Sequence, residues 1–441
     1  MSVDARVVVV ARDDALAGPL CEGLDRLGWT TVTARGPYAA LAAIADLGIE
    51  AAIVDVKSCG QDALVMARRL KAAVSPRRLP VLGIGEPNLD AEAWSFDLTL
   101  PAPLHPEQAA LRLQSLVRGA IAEEELELRR ETFAERGRSL DLPEEPAGPY
   151  RILAVGEPAP QFLALSNALA RAGADVVGAF TAYTAFDYLH ERTFDGVVLW
   201  AGEDQTEALS IAGGMRRNTR LYHLPALLYL KHGSAVTPSD AYSRGVSDLA
   251  SPETPPAETC GRVIELARTY RRQEAIRQAL EKARSSGLMD AATGLFTSDL
   301  FAAHLARLAR TAHERNRPLS VCVLKIADRP EIARVRRSGW LDRAIPQLGS
   351  MVGRLVRAED TAARLSPEVF ALALPGTPGN AARLAGERIA AVIGCTAFDA
   401  GDDQPAFVAE FDIGSALVER GENPARALER AAARATQRKA G

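Results

Sequence analysis

Few residues in this chain have both the type and the spacing that chemistry demands. Arg357 and Asp360 stand three positions apart. On a turn, such positions project in similar directions, so both side chains can address one bound molecule. The guanidinium can donate two parallel hydrogen bonds while the carboxylate accepts. The spacing alone is cheap: Arg138/Asp141 and Arg192/Asp195 share it and read as linker charge and a surface turn. Asp55 closes the apolar run Ala52-Ile-Val, an acid at what reads as a strand end. Metal chemistry finds no support, since none of the six histidines has ligand spacing. The cysteines (Cys21, Cys59, Cys260, Cys322 and Cys395) are scattered without a CxxC pair, so reduced thiols are expected and structural zinc is not.

The 441 residues suggest about three domains. An apolar share of 47% fills ordinary cores and excludes wholesale disorder. Charge nearly cancels, 52 Lys+Arg against 56 Asp+Glu, so the overall basic footprint of a nucleic-acid binder is missing. The short basic runs Arg334-Val-Arg-Arg337 and Arg271-Arg272 read as solvated helix faces. No run of about 18 apolar residues exists, and the opening MSVDARVVVVARDD fits neither a membrane span nor a signal peptide. A cytoplasmic protein is expected.

Short apolar runs at Val7–Val10, Thr30–Thr33, Ala51–Val56, Leu79–Ile84 and Leu98–Leu100 alternate with helical stretches up to about Ala120. All-apolar strands separated by helices imply a parallel sheet covered on both faces. The rhythm restarts at Arg151–Val155 and continues through Asp175–Ala179, Phe194–Trp200, Leu224–Leu230 and Val246–Ala250, as in a second copy of one βα domain. A charged helix and a linker punctuated by Pro143, Pro146 and Pro149 separate the copies. Glu258–Arg284 reads as an amphipathic connector helix able to pair with its own copy in a dimer. The last domain offers clear strands at Leu319–Ile326, Val369–Leu374 and Ala409–Ser415, and a final helix at Pro424–Gln437. The expected organisation is therefore 1–120, linker 121–149, 150–257, connector 258–288, and 289–441.

The stretch Asp290-Ala-Ala-Thr-Gly-Leu-Phe-Thr-Ser-Asp-Leu-Phe301 resembles the opening of GGDEF domains, the diguanylate cyclases that condense two GTP into cyclic di-GMP. Arg357-Ala-Glu-Asp360 and Arg364-Leu-Ser-Pro-Glu-Val-Phe370 follow in that family's order. The two upstream copies resemble receiver domains. The resemblance implies an α/β chain of two doubly wound (βα)5 receiver-like domains followed by a GGDEF palm with an antiparallel sheet.

Cyclase chemistry needs carboxylate-held metal ions so that a 3′-oxygen can attack an α-phosphate. Against the family pattern, Lys325 and Ala327 stand where two acidic ligands belong, and Ala333 falls near the guanine-reading Asn. The signature hairpin reads Ser366-Pro367-Glu368-Val369-Phe370. Paired glycines there would permit positive φ and close approach of backbone to phosphate, whereas Pro367 fixes φ and lacks an N–H. The expectation is a catalytically inactive domain with no metal. Five residues separate Asp360 from Ser366, the family's spacing for an RxxD motif that binds cyclic di-GMP. Arginine can address guanine O6 and N7, and the carboxylate N1–H and the 2-amino group. By resemblance Arg388, 31 residues beyond Arg357, is the second arginine, stacking on a base or pairing a phosphate.

In the receiver-like copies, Asp55 is the phospho-acceptor candidate, yet Ala11 and Arg12 replace the acidic pair, with Asp13 adjacent. Gly85 lies near the switch Ser/Thr position, and Leu100 stands where a Lys precedes proline. The second copy has Trp200 at the acceptor position, Gly156-Glu157 for the acidic pair and Ser251 for the Lys, and reads as an interaction or dimerisation module. The resemblance implies a cyclic di-GMP receptor and scaffold at a cell pole. It would couple the messenger, through a small adaptor, to recruitment of a cell-cycle regulator to the ClpXP protease. The alternatives are a weak cyclase and a phosphorylation-driven regulator without nucleotide input. Acetyl phosphate labelling that Asp55→Asn abolishes would support the last, and no labelling would exclude it.

Overall fold

The computed structural model describes all residues except 1–4, 61, 76, 86–94, 142, 145, 202–204, 219, 284–286, 402–403 and 438–441. Its described residues form two compact units. One holds Ser2–Ala120 and Glu144–Ala275, the other Ile121–Pro143 and Ile276–Gly441.

The first unit contains two five-stranded parallel sheets of the same topology. One runs in the order Thr30–Ala34, Arg6–Val10, Ala51–Asp55, Val81–Ile84, Leu98–Leu100. The other runs Asp175–Ala179, Arg151–Val155, Gly196–Trp200, Ala226–Tyr229, Asp248–Ala250. Both match the doubly wound expectation. The central strands are buried end to end because helices cover both faces, which is why they read as unbroken Val, Ile and Ala.

Polar side chains join the two copies within this unit. Gln108 donates to Asp248 at 2.8 Å, and Arg262 grips the same carboxylate at 2.7 Å. Glu265 accepts from the Thr99 amide at 3.0 Å, and Thr269 donates to the Asp97 carbonyl at 3.1 Å. Arg271, expected on a solvated face, is buried instead. It donates to the carbonyls of Pro146, Gly148 and Pro149, whose prolines leave carbonyls without neighbouring ladder partners. The connector helix spans Pro256–Lys282, and the expected end at Arg284 lies outside the described residues.

The second unit is built on a mixed sheet ordered Phe296–Thr297, Thr361–Ser366, Val369–Pro375, Leu319–Ile326, Phe411–Leu417. Only its first pairing is parallel. Alternation along the strands splits the core. Cys322, Leu324, Phe370 and Leu372 face the helices Trp340–Leu355 and Gly379–Gly394. Val321, Val323, Ala371 and Ala373 face helix Ser298–Glu314 and Phe133. The charged helix ahead of the proline linker is part of this unit, since helix Pro106–Ala134 contributes Ile121 onward to it. The last strand begins two residues later than Ala409, and strand Thr361–Ser366 joins those read from the sequence.

Burial pushes the Glu265 carboxyl up to about 7, a rise that Arg268 and the Thr99 amide only partly offset. The fold therefore favours its neutral form. The contribution to stability is complete below the unfolded range near pH 4.5 and is lost as pH rises through about 7. Across that window the wild type should lose about 1–3 kcal/mol relative to Glu265→Gln, measured by denaturant unfolding. Parallel pH profiles for the two proteins would contradict this.

Candidate functional site

Arg357 begins the turn that leaves helix Trp340–Leu355 and enters strand Thr361–Ser366. The turn closes on itself. The Asp360 amide donates to the Arg357 carbonyl at 3.2 Å, and Asp360 Oδ2 accepts from the Arg357 amide at 3.1 Å. Asp360 is only 6% exposed, so its carboxylate is fixed by the turn and not by solvent. Arg388 is exposed on helix Gly379–Gly394, and its Nη2 donates to the Leu355 carbonyl at 3.2 Å. A cation suits that place, because the last carbonyls of a helix lack intrahelical partners. Arg388, named by resemblance, thus contacts the helix end from which the Arg357–Asp360 turn departs, two residues before Arg357.

The hairpin is arranged differently. Glu368 is held by Arg336, which donates from Nε at 2.6 Å and Nη2 at 2.8 Å. Arg336 also reaches Asp328 at 3.4 Å. A bidentate guanidinium engages both carboxylate oxygens, so Glu368 is a paired acid and not an open metal ligand. Lys325 is exposed and stands across from Val369 on one neighbouring strand and Asp412 on the other. Ala327 is buried, its amide donating to the Glu410 carbonyl. Ser366 and Pro367 are exposed, Val369 is half-buried, and Phe370 is buried with an edge-on contact to Phe411 at 6.1 Å. Among the described residues, no group of three His, Cys, Asp or Glu could hold a metal.

Asp290 begins the stretch that carries the family resemblance, and it is structural. Its Oδ1 accepts from the Thr293 amide and hydroxyl, at 2.9 and 2.6 Å. Burial acts to raise its carboxyl, but those bonds and Arg364 outweigh it and hold the group low. Arg364 also donates to the Pro367 carbonyl at 3.3 Å, tying the hairpin to that turn.

In the first βα copy, Asp55 ends its strand and is 3% exposed. Oδ1 accepts from the Lys57 amide at 3.1 Å, and Oδ2 has no hydrogen-bond partner among the described residues. Asp13, the neighbouring acid, lies at the start of the next helix. It caps the following helix by accepting from the Ala15 amide at 2.9 Å. In the second copy, Trp200 stacks on Tyr229 at 4.0 Å and meets Phe162 edge-on at 5.9 Å. Gly156 has φ +140°, and a Cβ there would strike the Cβ and carbonyl oxygen of Trp200, so the position requires glycine. Asp195 of the cheap Arg192/Asp195 match serves packing: it accepts from Arg271 and from the Arg151 amide, while Arg192 lies over Tyr188.

Sequence reasoning missed a buried polar cluster beneath the Arg357 turn. Glu125 Oε1 accepts from Arg129 at 2.7 Å, Thr361 at 2.8 Å and His304 at 2.9 Å. One signal was available. His304 lies among Leu300, Phe301, Leu305 and Leu308 on the apolar face of its helix, where a histidine needs a partner.

Residues 287–441 match the family model described as diguanylate cyclase, GGDEF domain. Along its length the chain is similar to the response regulator PleD of Caulobacter vibrioides, at 24% identity over 97% of this chain and 96% of that protein. Two solved structures are also similar. The GGDEF domain of DgcB from Caulobacter crescentus, in complex with c-di-GMP, is 22% identical over 35% of this chain and 88% of its own, with a TM-score of 0.32. The receiver domain of NtrX from Brucella abortus is 21% identical over 27% and 96%, with a TM-score of 0.24. The C-terminal part of this chain is thus a GGDEF domain, and the whole is a PleD-like receiver–GGDEF protein.

Proposed function

We propose that this protein is a receptor for cyclic di-GMP that has lost the ability to make it. Its place in cyclic di-GMP signalling follows from the GGDEF domain and the PleD-like order. The finer reading is carried by one observation: Arg388 reaches the helix end from which the Arg357–Asp360 turn departs. Two arginines and a fixed carboxylate at one place are the groups a guanine-bearing dinucleotide needs. Arginine can fork onto O6 and N7 or stack on the base, and the second cation can pair a phosphate.

The hairpin supports the loss of synthesis. Two-metal phosphoryl chemistry needs open carboxylates to hold the ions and orient the attacking oxygen. Here Glu368 is engaged by Arg336, and Lys325 and Ala327 offer no oxygen ligand. Pro367 removes a phosphate-facing amide.

In this reading ligand binding shifts an existing equilibrium toward a form that recruits protein partners. By family resemblance these are a proteolysis adaptor, a cell-cycle regulator and a polar scaffold, with the chain acting as a homodimer and without nucleic acid. Asp55 remains a candidate phospho-acceptor. No helix among the described residues is long and apolar enough to cross a membrane.

Calorimetric titration tests the site. The wild type should bind cyclic di-GMP, and Arg357→Gly should bind roughly five- to a hundred-fold more weakly, as for loss of one arginine–guanine contact. Equal affinities would remove the site assignment. Incubation with GTP and Mg²⁺ should yield no cyclic di-GMP, and measurable product would overturn the inactive reading.

A further inference from the structure

The turn that carries Arg357 does not hold its shape alone. Arg129, on the final turns of helix Pro106–Ala134, is 3% exposed. Its Nη2 lies 3.3 Å from the Ala358 carbonyl, 3.0 Å from the Asp360 carbonyl and 3.2 Å from the Thr361 hydroxyl. Its Nε donates to Glu125. Ala358 also packs against Ala122, Leu126, Ile276 and Leu280. The turn's backbone thus rests on helix Pro106–Ala134, 229 or more residues away in sequence, and its Ala358 side chain also on helix Pro256–Lys282.

The cluster can be assigned proton by proton. The Thr361 hydroxyl donates to Glu125, so it accepts from Arg129. The Thr132 hydroxyl donates to the Leu128 carbonyl at 2.8 Å and lies 3.0 Å from His304 Nδ1. His304 Nε2 faces the Glu125 carboxylate at 2.9 Å and donates to it. The imidazole and the guanidinium thus share one carboxylate oxygen. Burial alone would raise Glu125, but His304 and Arg129 outweigh it and keep the group below its usual range. With its Nε committed to Glu125, the Arg129 fork has one orientation, aimed at the turn.

Resting on the receptor reading above, we propose that Arg129 is the positioning residue of the cyclic di-GMP turn. The helix segment 121–134 on which it stands registers whether that turn is occupied. Arg129 touches no ligand. It fixes two turn carbonyls and the start of the next strand, so that Arg357 and Asp360 are ordered before the ligand arrives and less ordering free energy opposes binding. Because the same fork is anchored to Glu125, tightening of the turn is felt along the helix.

Lysine at this position keeps the charge beside Glu125 but cannot supply the fork. Arg129→Lys should therefore retain a cooperative thermal transition while binding cyclic di-GMP about tenfold more weakly by calorimetry. The half-buried neighbour variant Arg130→Lys, whose guanidinium pairs with Glu127, should bind like the wild type. Hydrogen–deuterium exchange on the full-length wild type gives a second readout that a merely structural role would not move. Cyclic di-GMP should slow exchange in 121–134 as well as at 357–361. Unchanged affinity in Arg129→Lys, or protection that stops at the turn, overturns the proposal. Should that variant fail to fold, the wild-type exchange pattern decides alone. A wild type that binds no cyclic di-GMP overturns the receptor reading itself, and this inference with it, so the two failures are told apart by the first titration.

Discussion

The Glu125 carboxylate, 1% exposed, accepts hydrogen bonds from a guanidinium, an imidazole and a hydroxyl at a single oxygen. A charge taken out of water is tolerated only when its partners are in place, and removing one partner of such a pair commonly costs about 3–5 kcal/mol. That constraint fixes more than the pair. It sets the rotamer of Arg129, which holds the carbonyls of the turn, and it sets the start of strand Thr361–Ser366 through the Thr361 hydroxyl. That strand pairs with Val369–Pro375, and Glu368 with its Arg336 clamp lies between the two. The Arg357 turn and the hairpin are therefore the two ends of one strand, whose start the buried acid sets.

The two ends have opposite electrostatic character. At the hairpin, a carboxylate is matched by a cation and a lysine stands nearby, so little negative charge is left to attract a divalent ion. At the turn, Arg388 extends from an exposed helix face, and the acid beside it is already oriented by backbone. The βα copies show a related substitution. Where the first keeps a buried acid at a strand end, the second fills that position with Trp200 on Tyr229, and apolar stacking replaces any place for a phosphoryl group.

Much of this architecture was legible. Val7–Val10, Arg151–Val155 and Leu319–Ile326 are β-branched runs whose burial leaves no other economical reading. Strand Thr361–Ser366 was not, because Thr, Ala, Arg and Ser carry little apolar signal; pairing with both neighbours holds it in the sheet. The last strand was displaced by two residues because Asp412 and Gly414 interrupt its pattern. Gly414 lies against the Ala431 backbone, where any side chain would collide, so its lack of a side chain reflects close helix contact and not a strand end. Arg357 and Asp360 could be named from their placement against the family pattern and Arg388 from the resemblance, but not the cluster beneath them. Glu125 and His304 are 179 residues apart, and Arg129 read only as one charge of the helix ahead of the proline linker until the fold placed it under the turn.

The account stands most directly on where the messenger sits. A crystal structure of the full chain grown with cyclic di-GMP should show a guanine base on the Arg357–Asp360 turn within reach of Arg388, with the Arg129–Glu125–His304 contacts intact. Density for the dinucleotide anywhere else, with that turn empty, would contradict it.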